Sequence, residues 1–257
     1  MKTLKHQLNL FFLALGFFSR IPMPSWINYS PENLNRASRY FTLVGWLLGG
    51  LVALVFLAAD YLFSNSISLW LAMAFSLLLT GAFHEDGLAD TADGFGGAFL
   101  REKKISIMKD SRIGTYGATA LVMALLGKYV LLIENSQIAL SIFIAYALSR
   151  AVAASLVFDM RYVAEDDGSK SKPLANNQSK TDLVILLATC LPVFFLLQWQ
   201  KAVLIIAVLI LVRYAAKFYF QKQIGGYTGD CLGAAQQISE LVIYALLLIN
   251  LGKIPIV

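Results

Sequence analysis

Seven long apolar stretches run along the chain, at roughly 40–63, 67–83, 115–133, 138–158, 182–198, 202–220 and 235–251. Each approaches the roughly 20 apolar residues that carry a helix across a bilayer. The hydrocarbon offers no water to unpaired backbone groups, so each stretch predicts a helix. An eighth stretch, Leu8 to Phe18, is cut off by Arg20, Pro22 and Pro24. It is too short to span and predicts an interfacial or re-entrant segment. A secretory signal peptide would suit Lys2 and Lys5, but no small-residue cleavage site follows the apolar run. The expected architecture is an all-α polytopic membrane bundle with about seven transmembrane helices plus that short N-terminal segment. It forms a single domain over residues 1–257.

Composition agrees with the pattern. Of the 257 residues, 58% are hydrophobic and 14% charged, against roughly 25% charged in soluble domains. Mean hydropathy is +0.66. Disorder is excluded, because it needs low hydrophobicity and high charge. The basic residues then set sidedness. Segments 19–39, 84–114, 159–181 and 221–234 hold thirteen Lys and Arg, whereas the alternate loops and the tail hold only Lys201 and Lys253. This alternation predicts that the basic segments face the cytoplasm and the tail the opposite side. The net charge of +5 therefore calls for a bilayer and no nucleic acid. Cys190 and Cys231 form neither a disulfide framework nor a metal-thiolate spacing.

With charge so scarce, its placement is informative. The densest cluster runs from His84 through Glu85, Asp86, Asp90 and Asp93 to Gly94. Asp86, Asp90 and Asp93 follow i, i+4, i+7 spacing, which puts three carboxylates on one helix face. Like charges at i, i+4 repel, and a stripe of this kind persists where a cation sits against it. Mg²⁺ uses one or two carboxylates together with substrate phosphates. The competing reading is a solvated loop that only ends a helix. Glu85 points to a different face and is the weaker candidate, while His84 is a ligand, a base or a plain hydrogen-bonding residue.

Two further polar clusters fall on the same side. After a flexible turn at Gly94–Gly97, the run Lys109, Asp110, Ser111, Arg112, Thr115 and Tyr116 precedes a span. Helix-start N–H groups beside Lys and Arg suit a phosphate, although an ordinary Ser or Thr cap explains part of it. Tyr227, Thr228, Gly229 and Asp230 open the last span, with Asp230 as a cap or a metal ligand. Gln236, Gln237 and Glu240 carry polarity deeper, and Glu240 needs a cavity or a partner. Arg150, Arg213 and Lys217 are the candidate partners, with snorkelling as the alternative for Lys217 and the favoured reading of Lys128. Segment 159–181, with Glu165, Asp166, Asp167 and Gly168, is a connector or a lid.

Leu79 through Gly97, Ile107 through Gly117, and Gly226-Tyr227-Thr228-Gly229-Asp230 closely resemble the cobalamin synthase family, adenosylcobinamide-GDP ribazoletransferase. Phe17 through Pro24 and Tyr40 through Gly45 look like its N-terminal signature, so the resemblance covers nearly the whole chain in order. It implies a multi-pass enzyme of the bacterial inner membrane with its active site toward the cytoplasm. It also implies a Mg²⁺ requirement and the joining of adenosylcobinamide-GDP to α-ribazole, or its 5′-phosphate, with release of GMP. Asp86, Asp90 and Asp93 are then the expected metal ligands and, with His84, the catalytic set. Lys109 to Arg112, Thr115, Tyr116 and Tyr227 to Asp230 are the expected substrate contacts. Trp46, Tyr116 and Tyr227 are the expected aromatic contacts to the corrin ring. Oligomeric state is left open, with a homo-oligomer among the possibilities. The rival readings are a CDP-alcohol phosphotransferase or aromatic prenyltransferase, whose acidic motifs are not matched cleanly, and a transporter. Transporters gather polarity at the midplane and often show repeats, neither of which is found here.

Overall fold

The computed structural model describes residues 2–164 and 176–250. Twelve α-helices follow one another among the described residues. α1 is Lys2–Phe18, α2 Pro31–Ala37, α3 Phe41–Asp60, α4 Asn65–Thr80, α5 Phe83–Gly97 and α6 Arg101–Met108. α7 is Thr115–Ile133, α8 Ile138–Leu156, α9 Lys180–Ala188, α10 Val193–Leu196, α11 Trp199–Ile224 and α12 Gly229–Leu248. Five segments are long and apolar enough to cross a membrane: Pro31–Asp60, which contains α3, and α7, α8, α11 and α12. The pair α4 and α5 counts as a sixth only as one span bent by 83°. The expected all-α multi-pass bundle is thus the observed one, with five or six candidate crossings in place of about seven and irregular structure in two places.

The first irregularity is the bend. Gly81 and Ala82 are both left-handed, at φ 68° and 56°. Glycine takes that conformation freely, whereas alanine is strained by about 1–2 kcal/mol. The Arg20 guanidinium lies over Gly81, where a Cβ would come within 2.8 Å of it. The Arg20 N–H also donates to the Leu79 carbonyl at 2.8 Å. The N-terminal segment therefore clamps the bend from one side.

The second irregularity is the stretch 182–198. It is not one continuous helix but the nine-residue α9 and four-residue α10, separated by turns around Pro192. It nevertheless climbs alongside α3. Arg39 pairs with Asp182, Thr42 donates to the Leu186 carbonyl at 3.1 Å, and the Trp46 indole donates to the Thr189 carbonyl at 2.9 Å. Trp46 is spent on this packing. At the far end, Lys201 of α11 donates to the Leu247 carbonyl at the end of α12.

α1 does not cross. Gln7 and Phe18, near opposite ends of α1, meet the adjacent residues Tyr40 and Phe41. The helix therefore packs across the start of α3. α8 is the central helix: every residue from Ile144 to Leu156 is buried. Few residues of α11 and α7 are buried on their apolar windows, which is the pattern of helices that face lipid.

One buried polar network joins α5, α7 and α12. Lys128 of α7 is 5% exposed, and its ammonium lies 3.0 Å from Glu240 and 3.6 Å from Glu85. The Tyr244 hydroxyl donates to Glu240 at 2.8 Å, the Gln236 amide donates to Glu240 at 2.6 Å, and the Gln237 amide donates to Glu85 at 3.0 Å. Lys128 therefore does not snorkel, because two carboxylates hold it inside. Nor are Arg213 and Lys217 the partners of Glu240. Both reach Asp159 at 2.6 Å, at the end of α8. Replacing Lys128 with Met would strand two buried carboxylates, at a cost of about 3–5 kcal/mol. The thermal midpoint in detergent should fall steeply, and an unchanged midpoint would refute this role.

Candidate active site

Functional side chains gather at the end of the bundle that carries the basic loops. α5 lies against the start of α12, and a Cβ on Gly87 would come within 2.9 Å of the Asp230 carbonyl. Only a bare backbone allows that approach. It brings the acids of α5 beside Asp230, so that Asp86, Asp230 and Asp93 all crowd Asp90 with like charge.

The three carboxylates of the stripe do not share one environment. Asp86 is exposed, Asp90 half-buried and Asp93 buried. Both Asp93 oxygens are occupied, accepting from the Gly114 N–H at 2.7 Å and the Gly117 N–H at 2.8 Å. Asp93 thereby caps α7 from another helix, which matches a negative charge to the positive helix start. Neither Ser111 nor Thr115 provides that cap, since Gly114 holds the position with no side-chain bond. Glycines at 114 and 117 leave room for the carboxylate, which a Cβ would meet at 2.5 and 2.2 Å. The expected turn at Gly94–Gly97 is instead the last turn of α5. Among the described residues, no three His, Cys, Asp or Glu side chains form a ready metal-holding cluster.

A cavity of about 590 Å³ opens beside this acid group. Its polar wall holds Asp86, Asp230, Thr228, Gly229, Lys109 and Arg150. Thr228 caps α12, accepting from the Cys231 N–H at 3.3 Å, and donates to Asp230 at 3.2 Å. Asp230 is therefore not the cap, and its carboxylate faces the cavity wall. The rest of the lining is largely apolar, with an aromatic cluster. Phe17, Phe18, Phe41 and Phe83 form that cluster and meet edge to face, with ring centroids 4.5–6.1 Å apart. His84 also lines the cavity, stacked on Phe18 at 5.3 Å.

Of the sequence-derived candidates, His84, Asp86, Lys109, Thr228, Gly229 and Asp230 come together around this cavity. Asp110 and Arg112 instead bond to each other at 2.6 Å on the exposed α6–α7 connection. Hydrogen bonds from Arg112 hold the Asp110 carboxyl down at about 2. Ser111 and Thr115 are exposed and outside the cavity wall, and Tyr116 covers Gly96. Tyr227 is fully buried, and its backbone exchanges hydrogen bonds with Arg161 and Val163 at 2.9 and 3.0 Å. That pairing ties the connector after α8 to the start of α12. Glu165, Asp166, Asp167 and Gly168 lie outside the described residues. The phenylalanine wall and the cavity-facing position of Arg150 were not foreseen. The aromatic run before Arg20 and the lone arginine inside an apolar stretch were their signals.

A multi-pass helical membrane protein with an acid-and-base cavity at one end is the class that this arrangement defines. Comparison with known proteins narrows it. The family model described as cobalamin-5-phosphate synthase matches residues 10–248, and the chain belongs to that family. It is 54% identical over 249 residues to an adenosylcobinamide-GDP ribazoletransferase of Vibrio parahaemolyticus, covering 96% of this chain and 94% of the relative. A protein of the same name from Shewanella piezotolerans is 54% identical over 254 residues, covering 97% and 98%. One from Vibrio cholerae is 53% identical over 248 residues, covering 95% of each. No solved structure matches.

The occupied Asp93 oxygens generate a test. Asp93→Ala would leave two helix-start N–H groups without their acceptor, at roughly 1–3 kcal/mol for each buried group. Its thermal midpoint should fall well below that of Asp90→Asn, and equal midpoints would contradict the capping role.

Proposed function

We propose that this chain joins adenosylcobinamide-GDP to α-ribazole, or its 5′-phosphate, and releases GMP. The observation that carries the reading is the mixed lining of the cavity. Acids and bases suited to a diphosphate share it with phenylalanines suited to a large, partly apolar substrate. The family and the names of its members support the same reaction. Basic loops around the cavity support its opening to the cytoplasm.

In the proposed reaction, a ribazole hydroxyl oxygen attacks the phosphorus attached to cobinamide. The bond from that phosphorus to the GMP oxygen breaks, and GMP departs. The hydroxyl proton passes to a base at the cavity wall, His84 or one of the carboxylates. Lys109 supplies positive charge around the phosphates, and the phenylalanine wall holds the apolar body of the substrate and keeps water out. Holding both reactants in one cavity supplies proximity and orientation.

The donor set fits Mg²⁺. Asp86, Asp90 and Asp230 are hard oxygen ligands that act on one another as like charges, and such crowding favours a divalent cation. These three residues would hold it, with phosphate oxygens and water completing the shell, since the side chains alone form no closed cluster. When bound it would neutralise charge on the diphosphate. Asp93 is not assigned to this set, because the α7 start already occupies it.

Membranes containing the chain should release GMP from adenosylcobinamide-GDP only when ribazole and Mg²⁺ are both present. Asp90→Asn and Asp230→Asn should lower turnover at least 100-fold, the order set by losing a principal electrostatic group, with normal protein levels. Wild-type turnover in both variants would refute the assignment.

A further inference from the structure

Arg150 is a buried cation on the cavity wall. It is 2% exposed and belongs to the central helix α8. Its Nη1 donates to the Tyr146 carbonyl at 2.9 Å, one turn back on its own helix. Its Nε is buried without a partner. The guanidinium stacks on Tyr146 at 4.8 Å and lies 5.9 Å from the Phe18 ring. Among the described residues, no carboxylate comes within ion-pair distance of it, because Lys128 takes both Glu85 and Glu240. Yet Arg150 lines the same cavity as Asp86, Lys109 and Asp230.

Glu240 and Glu85 act on Arg150 only at longer range, and a buried guanidinium with no acceptor in contact at its Nε is costly unless something charged and hydrogen-bonding meets it. Ionisable residues inside membrane helices mark substrate paths by default. Arg150 is also built to be a receptor. Its planar fork matches phosphate oxygens in a paired geometry, and aromatic stacking fixes its orientation in advance. We propose that Arg150 is a substrate-binding residue that receives a phosphate group at the inner wall of the cavity. This rests on the reading of the cavity as the transfer site. The phosphate has two possible sources, the diphosphate of the nucleotide-bearing substrate and the 5′-phosphate of phosphorylated ribazole. A monophosphate and a diphosphate offer Arg150 the same oxygen chemistry, so kinetics must separate them.

The experiment compares wild type with Arg150→Lys and Arg150→Gln in detergent, varying each substrate in turn. A charge-assisted, paired hydrogen bond corresponds to a loss of about 10- to 100-fold in affinity. If Arg150 holds the ribazole phosphate, Arg150→Gln should raise KM for ribazole 5′-phosphate by that factor and leave KM for unphosphorylated ribazole unchanged. If it holds the diphosphate, KM for adenosylcobinamide-GDP should rise with either acceptor. In both cases Arg150→Lys should recover part of the loss, which a purely structural role would not produce. Unchanged KM for all three substrates in Arg150→Gln would overturn the proposal. No GMP release by wild type would instead overturn the reading of the cavity as a transfer site. Should the variants fail to accumulate, a structure of the wild-type protein soaked with inorganic pyrophosphate decides. Phosphate oxygens within hydrogen-bond distance of Arg150 support the proposal, and pyrophosphate bound elsewhere in the cavity overturns it.

Discussion

Lys128 sits among apolar side chains, and it can stay there charged because Glu85 and Glu240 face it. The two carboxylates come from different helices, so one ammonium fixes α5 and α12 against α7. Removing water from three charges is expensive, and only tight geometry with added hydrogen bonds offsets it. Tyr244, Gln236 and Gln237 supply those bonds. The arrangement sets the rotation of α5. With Glu85 turned inward to Lys128, the next residue, Asp86, is turned out to the cavity, and His84 lies against the Phe18 ring.

The same constraint divides the acids by task. Glu85 and Glu240 hold the core, Asp93 holds the start of α7, and Asp86, Asp90 and Asp230 remain near the cavity. It also accounts for Arg150. Both nearby glutamates contact Lys128 directly and act on Arg150 only from beyond ion-pair distance, so the arginine lines the cavity without a carboxylate in contact among the described residues. Scaffold and chemistry thus compete for the same few charges in an apolar chain, and the pairing geometry decides which go where.

Much of this was legible in the sequence. The apolar stretches that became α3, α7, α8, α11 and α12 are long and uninterrupted, so length and hydropathy alone locate them. The stretch 182–198 misled because hydropathy does not register a turn around Pro192. The i, i+4, i+7 spacing correctly placed three aspartates on one helix. Spacing could not say that Asp93 would be consumed by Gly114 and Gly117, because that bond depends on how α5 meets α7. Lys128 was misread for the same reason. Snorkelling is a property of one helix in lipid, whereas its capture by Glu85 and Glu240 needs two others. The Phe17, Phe18, Phe41 and Phe83 wall arises only once α1, α3 and α5 converge, and no single segment carries its signature.

The division of acids is the central claim, and adjacent residues expose it most directly. Glu85→Gln and Asp86→Asn each remove one negative charge, one position apart on α5. Thermal midpoint and turnover measured side by side should separate them. Glu85→Gln is expected to lower the midpoint while the protein that remains folded still turns over. Asp86→Asn is expected to keep the midpoint and lose turnover. The reverse pattern, a destabilised but active Asp86→Asn beside a stable but inactive Glu85→Gln, would contradict the account.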